Sequence, residues 1–180
     1  MPRTPIARRN LFSPPPTPPK VFLSLGSNIG DRRTLIRKAL KVLSGAGIRV
    51  LRVSSLYRTE PVDLRNQPWF INCVAKVETD LSPRGLLRLL KSTEHTLGRR
   101  RGAPKGPRPI DIDILLYENV VVRSRALTIP HARMKERKFV LVPLREIAPR
   151  LLHPATRQTV AAMLRETADV SKVVKLKKKI

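Results

Sequence analysis

A chain of 180 residues with 41% hydrophobic content can bury the core of one domain, and it has no run of about 18 apolar residues of the kind that spans a membrane. Its 37 Lys and Arg against 13 Asp and Glu give a formal charge of +24, which points to a phosphate-bearing partner without saying which kind. The single cysteine, Cys73, excludes an internal disulfide and a cysteine-built zinc cluster, and it fits a reducing cytoplasm.

Residues 1–19 form the first segment. They hold no acidic residue and include PPPTPP, whose prolines lack the amide donors that a helix or a central strand requires. This reads as a disordered, basic, Pro-rich tail; a transit peptide would share its lack of acids, but the prolines oppose the amphipathic helix such a peptide needs. VFLSLGSN (21–28) reads as a short buried strand that ends at Gly26. Leu35, Ile36, Ala39, Leu40, Val42 and Leu43 recur at helical spacing over 31–43, and Gly45 and Gly47 stop that helix. IRVLRVSSLYR (48–58) is rich in β-branched residues and reads as one strand. WFINCVAKVET (69–79) alternates, with Ile71, Cys73, Ala75 and Val77 on one face and Phe70, Asn72, Val74, Lys76 and Glu78 on the other.

A second helix follows, with Ser82 as N-cap, Pro83 at its first position, Leu86, Leu87, Leu90 and Leu97 as its apolar stripe, and Gly98 as its stop. After the basic Gly- and Pro-rich loop 98–109 comes the strand IDIDILLY. The order strand, helix, strand, strand, helix, strand predicts an α+β fold with a ferredoxin-like βαββαβ core, an antiparallel sheet carrying its helices on one face. A short strand near 119–123 and helices near 139–147 and 157–167 predict a C-terminal helical extension, and residues 169–180 read as a basic C-terminal tail. The C-terminal tail is expected to be solvated, with weak nucleic-acid or lipid contact as the sharper alternative, and weak nucleic-acid contact is open to both tails.

Asp111 and Asp113 are two of the few carboxylates, yet they stand two residues apart within an apolar strand. Residues i and i+2 share a face, so both project from the face opposite Ile110, Ile112 and Ile114, with Cα atoms roughly 6.5 Å apart. They repel each other unless cations intervene, and hard divalent ions such as Mg2+ suit carboxylate and phosphate oxygens. Pairing with arginines of the preceding loop is the plainer alternative. Phe70 beside Asn72 suits a flat heteroaromatic ring, one stacking and the other bonding its edge. The arginines of 98–109 suit phosphates, and their glycine-rich loop suits a lid. His131 follows a proline turn and precedes Arg133, Lys135 and Arg137, whereas His95 and His153 lack such company and read as structural or solvated. A Walker loop, a kinase signature set and a dinucleotide-binding fingerprint are all missing.

The stretches LSLGSNIGDR (23–32), SSLYRTEPVDLRNQPWFINCVAKVET (54–79), EHTLGRRR (94–101), GPRPIDIDILLY (106–117), LTIPHARMKERKFVLVPLREIAP (127–149) and LLHP (151–154) together resemble the 6-hydroxymethyl-7,8-dihydropterin pyrophosphokinase family of folate biosynthesis. The resemblance covers about residues 20 to 155, and residues 20–168 are expected to form the pyrophosphokinase domain. It implies transfer of pyrophosphate from ATP to the pterin hydroxymethyl group, releasing AMP, with two Mg2+ held by Asp111 and Asp113. It implies pterin contacts from Thr59, Glu60, Val62 and Asn72, with Phe70 and Phe139 sandwiching the ring. It implies nucleotide contacts from Glu94, Arg101, Arg108, Thr128, His131 and Arg137, and assistance to transfer from Arg99, Arg101 and Arg108. The family's mobile loop usually carries a tryptophan just before Gly-Pro-Arg, and Lys105 stands there in this chain. A cytoplasmic monomer acting on two small molecules, with no membrane partner, is the expectation. The alternative is an RNA-binding ferredoxin-like module. It accounts for the charge but not for two carboxylates on the face such modules use for bases, where they would repel phosphate.

Overall fold

The computed structural model describes residues 17–100 and 106–177, so most of the Pro-rich tail, Arg101 to Lys105 and the last three residues lie outside the described residues. Strand β1 (Lys20–Ser27) leads into helix α1 (Arg32–Gly45), whose N-cap Asp31 accepts a hydrogen bond from the Thr34 amide. Ile36, Ala39, Leu40 and Leu43 are its buried stripe, while Val42, expected inward, is carried outward by the 3.6-residue turn. Strands β2 (Arg49–Val53), β3 (Tyr57–Thr59) and β4 (Phe70–Glu78) follow, then helix α2 (Pro83–Thr96), capped by Ser82 as expected. Strand β5 (Asp111–Tyr117) completes the βαββαβ core.

The stretch expected as one strand over 48–58 is broken in two. The Ser54 amide donates to the Val74 carbonyl, but the Val74 amide donates to Ser54 Oγ, so a hydroxyl takes the place of a ladder carbonyl. Ser55 is drawn off the ladder, its amide and hydroxyl both donating to Glu146. β2 and β3 therefore pair with successive parts of β4, and the sheet order is β5-β1-β4-β3, every pair antiparallel.

Beyond β5, the short strands β6 (Val122–Arg123) and β7 (Thr128–Ile129) pair with each other. A 3-10 turn over Met134–Glu136, helix α3 (Lys138–Ile147) and helix α4 (Val160–Glu166) form the expected extension. The segment read as a basic tail from 169 onward contains one more strand, β8 (Val173–Lys175), paired with β3, and Leu176 packs against the core. Among the described residues no helix is long and apolar enough to cross a membrane.

α1 and α2 cover one face of the sheet, where Val21, Leu23, Leu25, Ile71, Cys73, Ile112 and Ile114 form the larger core. The opposite face is divided. Phe22, Val74, Leu115 and Leu116 are covered by α3 and α4 through Val140, Leu141, Leu144 and Met163. Only the part nearest Gly26, Asn72 and Asp111 is left for a site.

Candidate active site

Register sets the two rows of that uncovered patch. Gly26 lies opposite Asn72 on one side and Asp111 on the other, and Ser24 lies between Val74 and Asp113. The pairing of β1 with β5 skips one residue, Leu115, between Phe22 and Leu23. That bulge reverses the phase of β5, so that Leu116 and both aspartates reach the same face although the offsets from Leu116 to each are odd. The Leu115 carbonyl accepts the His131 amide at 2.9 Å, which fixes His131 beside the aspartates.

A cavity of about 260 Å³ opens on the patch. Phe70, Asn72, Thr59, Glu60, Val62 and Phe139 line one end; Asp111, Asp113, Arg99, Arg108, His131 and Arg137 line the other. Twelve of the residues expected from the sequence thus converge on one volume. Glu94 and Thr128 do not line it, and Arg101 lies outside the described residues. Thr128 is exposed on β7. Glu94 is buried on α2, and its Oε1 accepts the Ile112 amide at 2.7 Å and Arg99 Nη1 at 2.6 Å, while Lys91 Nζ lies 3.0 Å from Oε2. It caps the outer edge of β5. Burial raises its pKa against the pull of Lys91, the Ile112 amide and Arg99.

At the apolar end the Asn72 amide is buried and donates to Thr59 Oγ1 at 2.7 Å. Gly26 makes room for it, since a Cβ there would stand 2.3 Å from Asn72 Oδ1. Arg108 and Arg137 lie 5.7 and 5.6 Å from the ring centres of Phe70 and Phe139, so each aromatic wall carries a cation toward the polar end.

At the polar end Asp111 is ion-paired with both Arg99 and Arg108. Asp113 differs: among the described residues no donor hydrogen-bonds its carboxylate. Burial, and then the neighbouring Asp111, raise its pKa, with His131, Lys91 and Arg137 opposing. Burial lowers the pKa of His131, partly offset by Asp113, and Arg137 and Arg133 push it down further. The His131 Nδ1 accepts the Arg133 amide, so the neutral ring carries its proton on Nε2. Arg108 Nε and Arg137 Nε are buried without a partner among the described residues. Buried guanidinium donors without partners and a buried carboxylate without a donor, on residues lining one cavity, fit an occupant carrying anionic oxygens and a cation.

Those residues suit magnesium. Among the described residues there is no group of three or more His, Cys, Asp or Glu able to enclose a metal. Two carboxylates alone suffice for an ion that completes its shell with phosphate oxygens and water.

Several participants were not singled out in the sequence. Lys91 lines the cavity from α2, one turn before Glu94, and Ser24 and Gly26 come from β1. Asn28 is buried and clamps two loops. Its Nδ2 donates to Gln67 Oε1 and the Pro68 carbonyl, and its Oδ1 accepts the Arg108 amide at 2.7 Å. Asp63 ties the 60–69 loop to Arg133 at 2.9 Å and lies 3.8 Å from Arg137. Register across β1, the approach of α2 and loop packing reveal these, and none of the three is readable from periodicity.

Comparison with known proteins agrees with this geometry. Residues 22–149 match the family model for 7,8-dihydro-6-hydroxymethylpterin-pyrophosphokinase (HPPK). The folic acid synthesis protein fol1 of Schizosaccharomyces pombe is 52% identical over 138 residues, covering 76% of this chain and 19% of that protein. The 2-amino-4-hydroxy-6-hydroxymethyldihydropteridine pyrophosphokinase of Methylorubrum extorquens is 46% identical over 134 residues, covering 74% of this chain and 85% of the relative. The chain therefore spans about a fifth of the fungal relative and most of the bacterial one. A crystal structure of Plasmodium falciparum HPPK-DHPS superposes with a TM-score of 0.67 at 15% identity, over 88% of this chain and 47% of that one, a likeness of fold. The chain belongs to the 7,8-dihydro-6-hydroxymethylpterin pyrophosphokinase family.

Proposed function

We propose that the protein transfers pyrophosphate from ATP to 6-hydroxymethyl-7,8-dihydropterin, giving AMP and the pterin diphosphate for folate biosynthesis. The observation that carries this reading is a single cavity with a two-phenylalanine, one-amide end and a two-carboxylate, many-cation end. A flat heteroaromatic ring suits the first and a triphosphate the second. The pterin oxygen attacks the β-phosphorus of ATP, the bond from that phosphorus to the oxygen bridging to the α-phosphate breaks, and AMP leaves with that oxygen while the alcohol proton passes to solvent water.

The chain's contribution is positioning and charge stabilisation. Phe70 and Phe139 would sandwich the ring, Asn72 would bond its edge, and Thr59, Glu60 and Val62 would complete the pocket. Arg108, Arg137, Lys91 and the His131 Nε2–H would take phosphate oxygens, and Arg99 would orient Asp111. We assign Arg101 the same work as Arg108 on the family resemblance alone, and Thr128 the nucleotide's outer edge. Glu94, already occupied by three donors, holds β5 and Arg99 in place. Asp111 and Asp113 would hold two Mg2+, which when bound neutralise the transferred phosphates. Every residue named comes from one chain, so a monomer suffices. A cytoplasmic setting fits the buried, unpaired Cys73, whose thiol pKa burial pushes up to about 12. Neither the family match nor the relatives support the RNA-binding alternative.

Incubation with ATP, Mg2+ and 6-hydroxymethyl-7,8-dihydropterin, followed by mass spectrometry, tests the reading. Stoichiometric AMP and pterin diphosphate, dependent on both pterin and Mg2+, is the expected result. A folded protein that binds neither substrate would end it.

A further inference from the structure

The C-terminal strand lies outside the part of the chain that matches the family model, and its partner is the wall of the cavity. Thr59 stands opposite Phe70 of β4 on one side and Val173 of β8 on the other. The Glu60 amide donates to the Lys172 carbonyl at 3.1 Å, and the Lys172 amide returns a bond to Glu60 Oε2 at 2.8 Å. At the other end the Leu176 amide donates to the Leu56 carbonyl at 2.8 Å. The alternation of an antiparallel ladder then turns the Val174 amide toward Arg58. A second tie runs beneath, where Glu146 accepts Tyr57 Oη at 2.7 Å and Lys175 Nζ at 3.3 Å.

Without β8, β3 would be a three-residue edge strand holding one border of the pocket. Short edge strands fray, and their amides turn to water. Thr59 Oγ1 is the acceptor that fixes the Asn72 amide. A line of contacts thus runs from β8 through Thr59 and Glu60 to Asn72.

We propose that β8, with its flanking residues Lys172 and Leu176, is a positioning element for the pterin end of the site, which it holds in the binding-competent arrangement while leaving the phosphate end untouched. This inference rests on the pyrophosphokinase reading for its choice of ligand. In mechanistic terms it lowers the ordering cost of the pocket before the ring arrives.

The test is Val174→Pro, which removes the ladder amide at the centre of β8, beside Val174→Ala, which keeps it; Val174 is half exposed, so the alanine change removes little packing. The expected result is a pterin KM raised at least about tenfold in Val174→Pro, with kcat at saturating pterin and the KM for ATP each within about twofold of the parent. Val174→Ala should match the parent. Deuterium uptake over residues 57–62 gives a readout independent of turnover and should rise in Val174→Pro alone, so an inactive parent would sink the function assignment without silencing this measurement. Unchanged uptake, or an equal loss for both substrates, overturns the proposal. Should Val174→Pro fail to fold, the chain ending at Ser171 replaces it with the same expectations. Failure of that chain to fold would make β8 a folding element and overturn the proposal as well.

Discussion

Gly26→Ala isolates the pterin end of the cavity by one methyl group. The added Cβ would stand 2.3 Å from Asn72 Oδ1, against ordinary contacts to Asn72 Cγ at 3.5 Å and Phe70 Cδ1 at 3.8 Å. Asn72 must therefore turn away, and the turn breaks its 2.7 Å bond to Thr59. Turned away, Asn72 also loses the bond it would make to the pterin edge; that lost hydrogen bond at about 1 kcal/mol, with the buried edge of the ring left partly unpaired at about 1 kcal/mol more, sums to about 2 kcal/mol of binding. That corresponds to about a thirty-fold weaker grip on pterin. Pterin binding is measured by calorimetry in the presence of Mg2+ and a non-hydrolysable ATP analogue, with analogue affinity measured separately. The expected result is the thirty-fold loss for pterin and no more than about a threefold change for the analogue. A double-mutant cycle sharpens the claim. Independent losses in Gly26→Ala and Asn72→Ala would sum to about 4 kcal/mol in the double variant. The clash argument requires instead that Gly26→Ala cost almost nothing once Asn72 is gone, so the double variant should stay near 2 kcal/mol. Additive losses, or full pterin affinity in Gly26→Ala, would refute the reasoning.

Asp113→Asn should abolish turnover yet raise thermal stability, because a buried carboxylate beside Asp111 with no hydrogen-bond donor among the described residues disfavours the folded state; about 1 kcal/mol, or about 3 °C by calorimetry of the metal-free protein, is the expected gain, and a lower Tm would contradict it. Glu146 has its pKa pushed up by burial but lowered overall by the stronger effect of hydrogen bonds from Tyr57, Ser55 and Lys175. Its contribution is therefore complete above the ordinary glutamate range near 4.5 and is lost as pH falls through the lower folded value. Urea midpoints of Glu146→Gln and the parent should differ at pH 7 and converge toward pH 3, and a constant gap would remove the ionised carboxylate from the account. The Asp63–Arg133 pair is partly exposed, so Arg133→Ala should weaken pterin binding by no more than about fivefold, the size of a surface ion pair. Trp69, the one tryptophan, stacks under Arg58 at 4.5 Å in the same loop and reports its movement by fluorescence; an emission spectrum unmoved by Arg133→Ala would separate that pair from the loop's position.

The order of the core elements was legible because its signals are local. Ser82 with Pro83, the period of Leu86 and Leu90, and the alternation from Ile71 to Val77 each need only neighbours in sequence. The break between β2 and β3 was not legible, since it depends on Ser54 capturing an amide of β4 and on Glu146, 91 residues from Ser55. β8 was hidden by composition. KVVKLKKKI reads as a solvated run, yet Val173 and Leu176 turn inward while Lys172, Val174 and Lys175 face out. The division of the second sheet face was missed for a related reason: Val74 and Phe22 alternate with site residues on the same face, and only α3 distinguishes them.

The site shows the same boundary between local and long-range causes. Phe70, Asn72, Asp111 and Asp113 could be placed on one face of the sheet by counting in twos. Gly26, Ser24 and Lys91 could not, because their roles come from register across β1 and from the approach of α2. The Leu115 bulge joins the two kinds of information. A regular strand would set Asp111 and Asp113 with Leu115 and Tyr117, and would turn Leu116 to the other core. The extra residue lets β5 carry Leu115 and Leu116 into the α3 core and then turn both aspartates to the cavity, while its carbonyl anchors His131. One bulge thus resolves the conflict between a strand that must be apolar on both faces at one end and anionic on one face at the other, and it does so at the point where the α3 core gives way to the cavity.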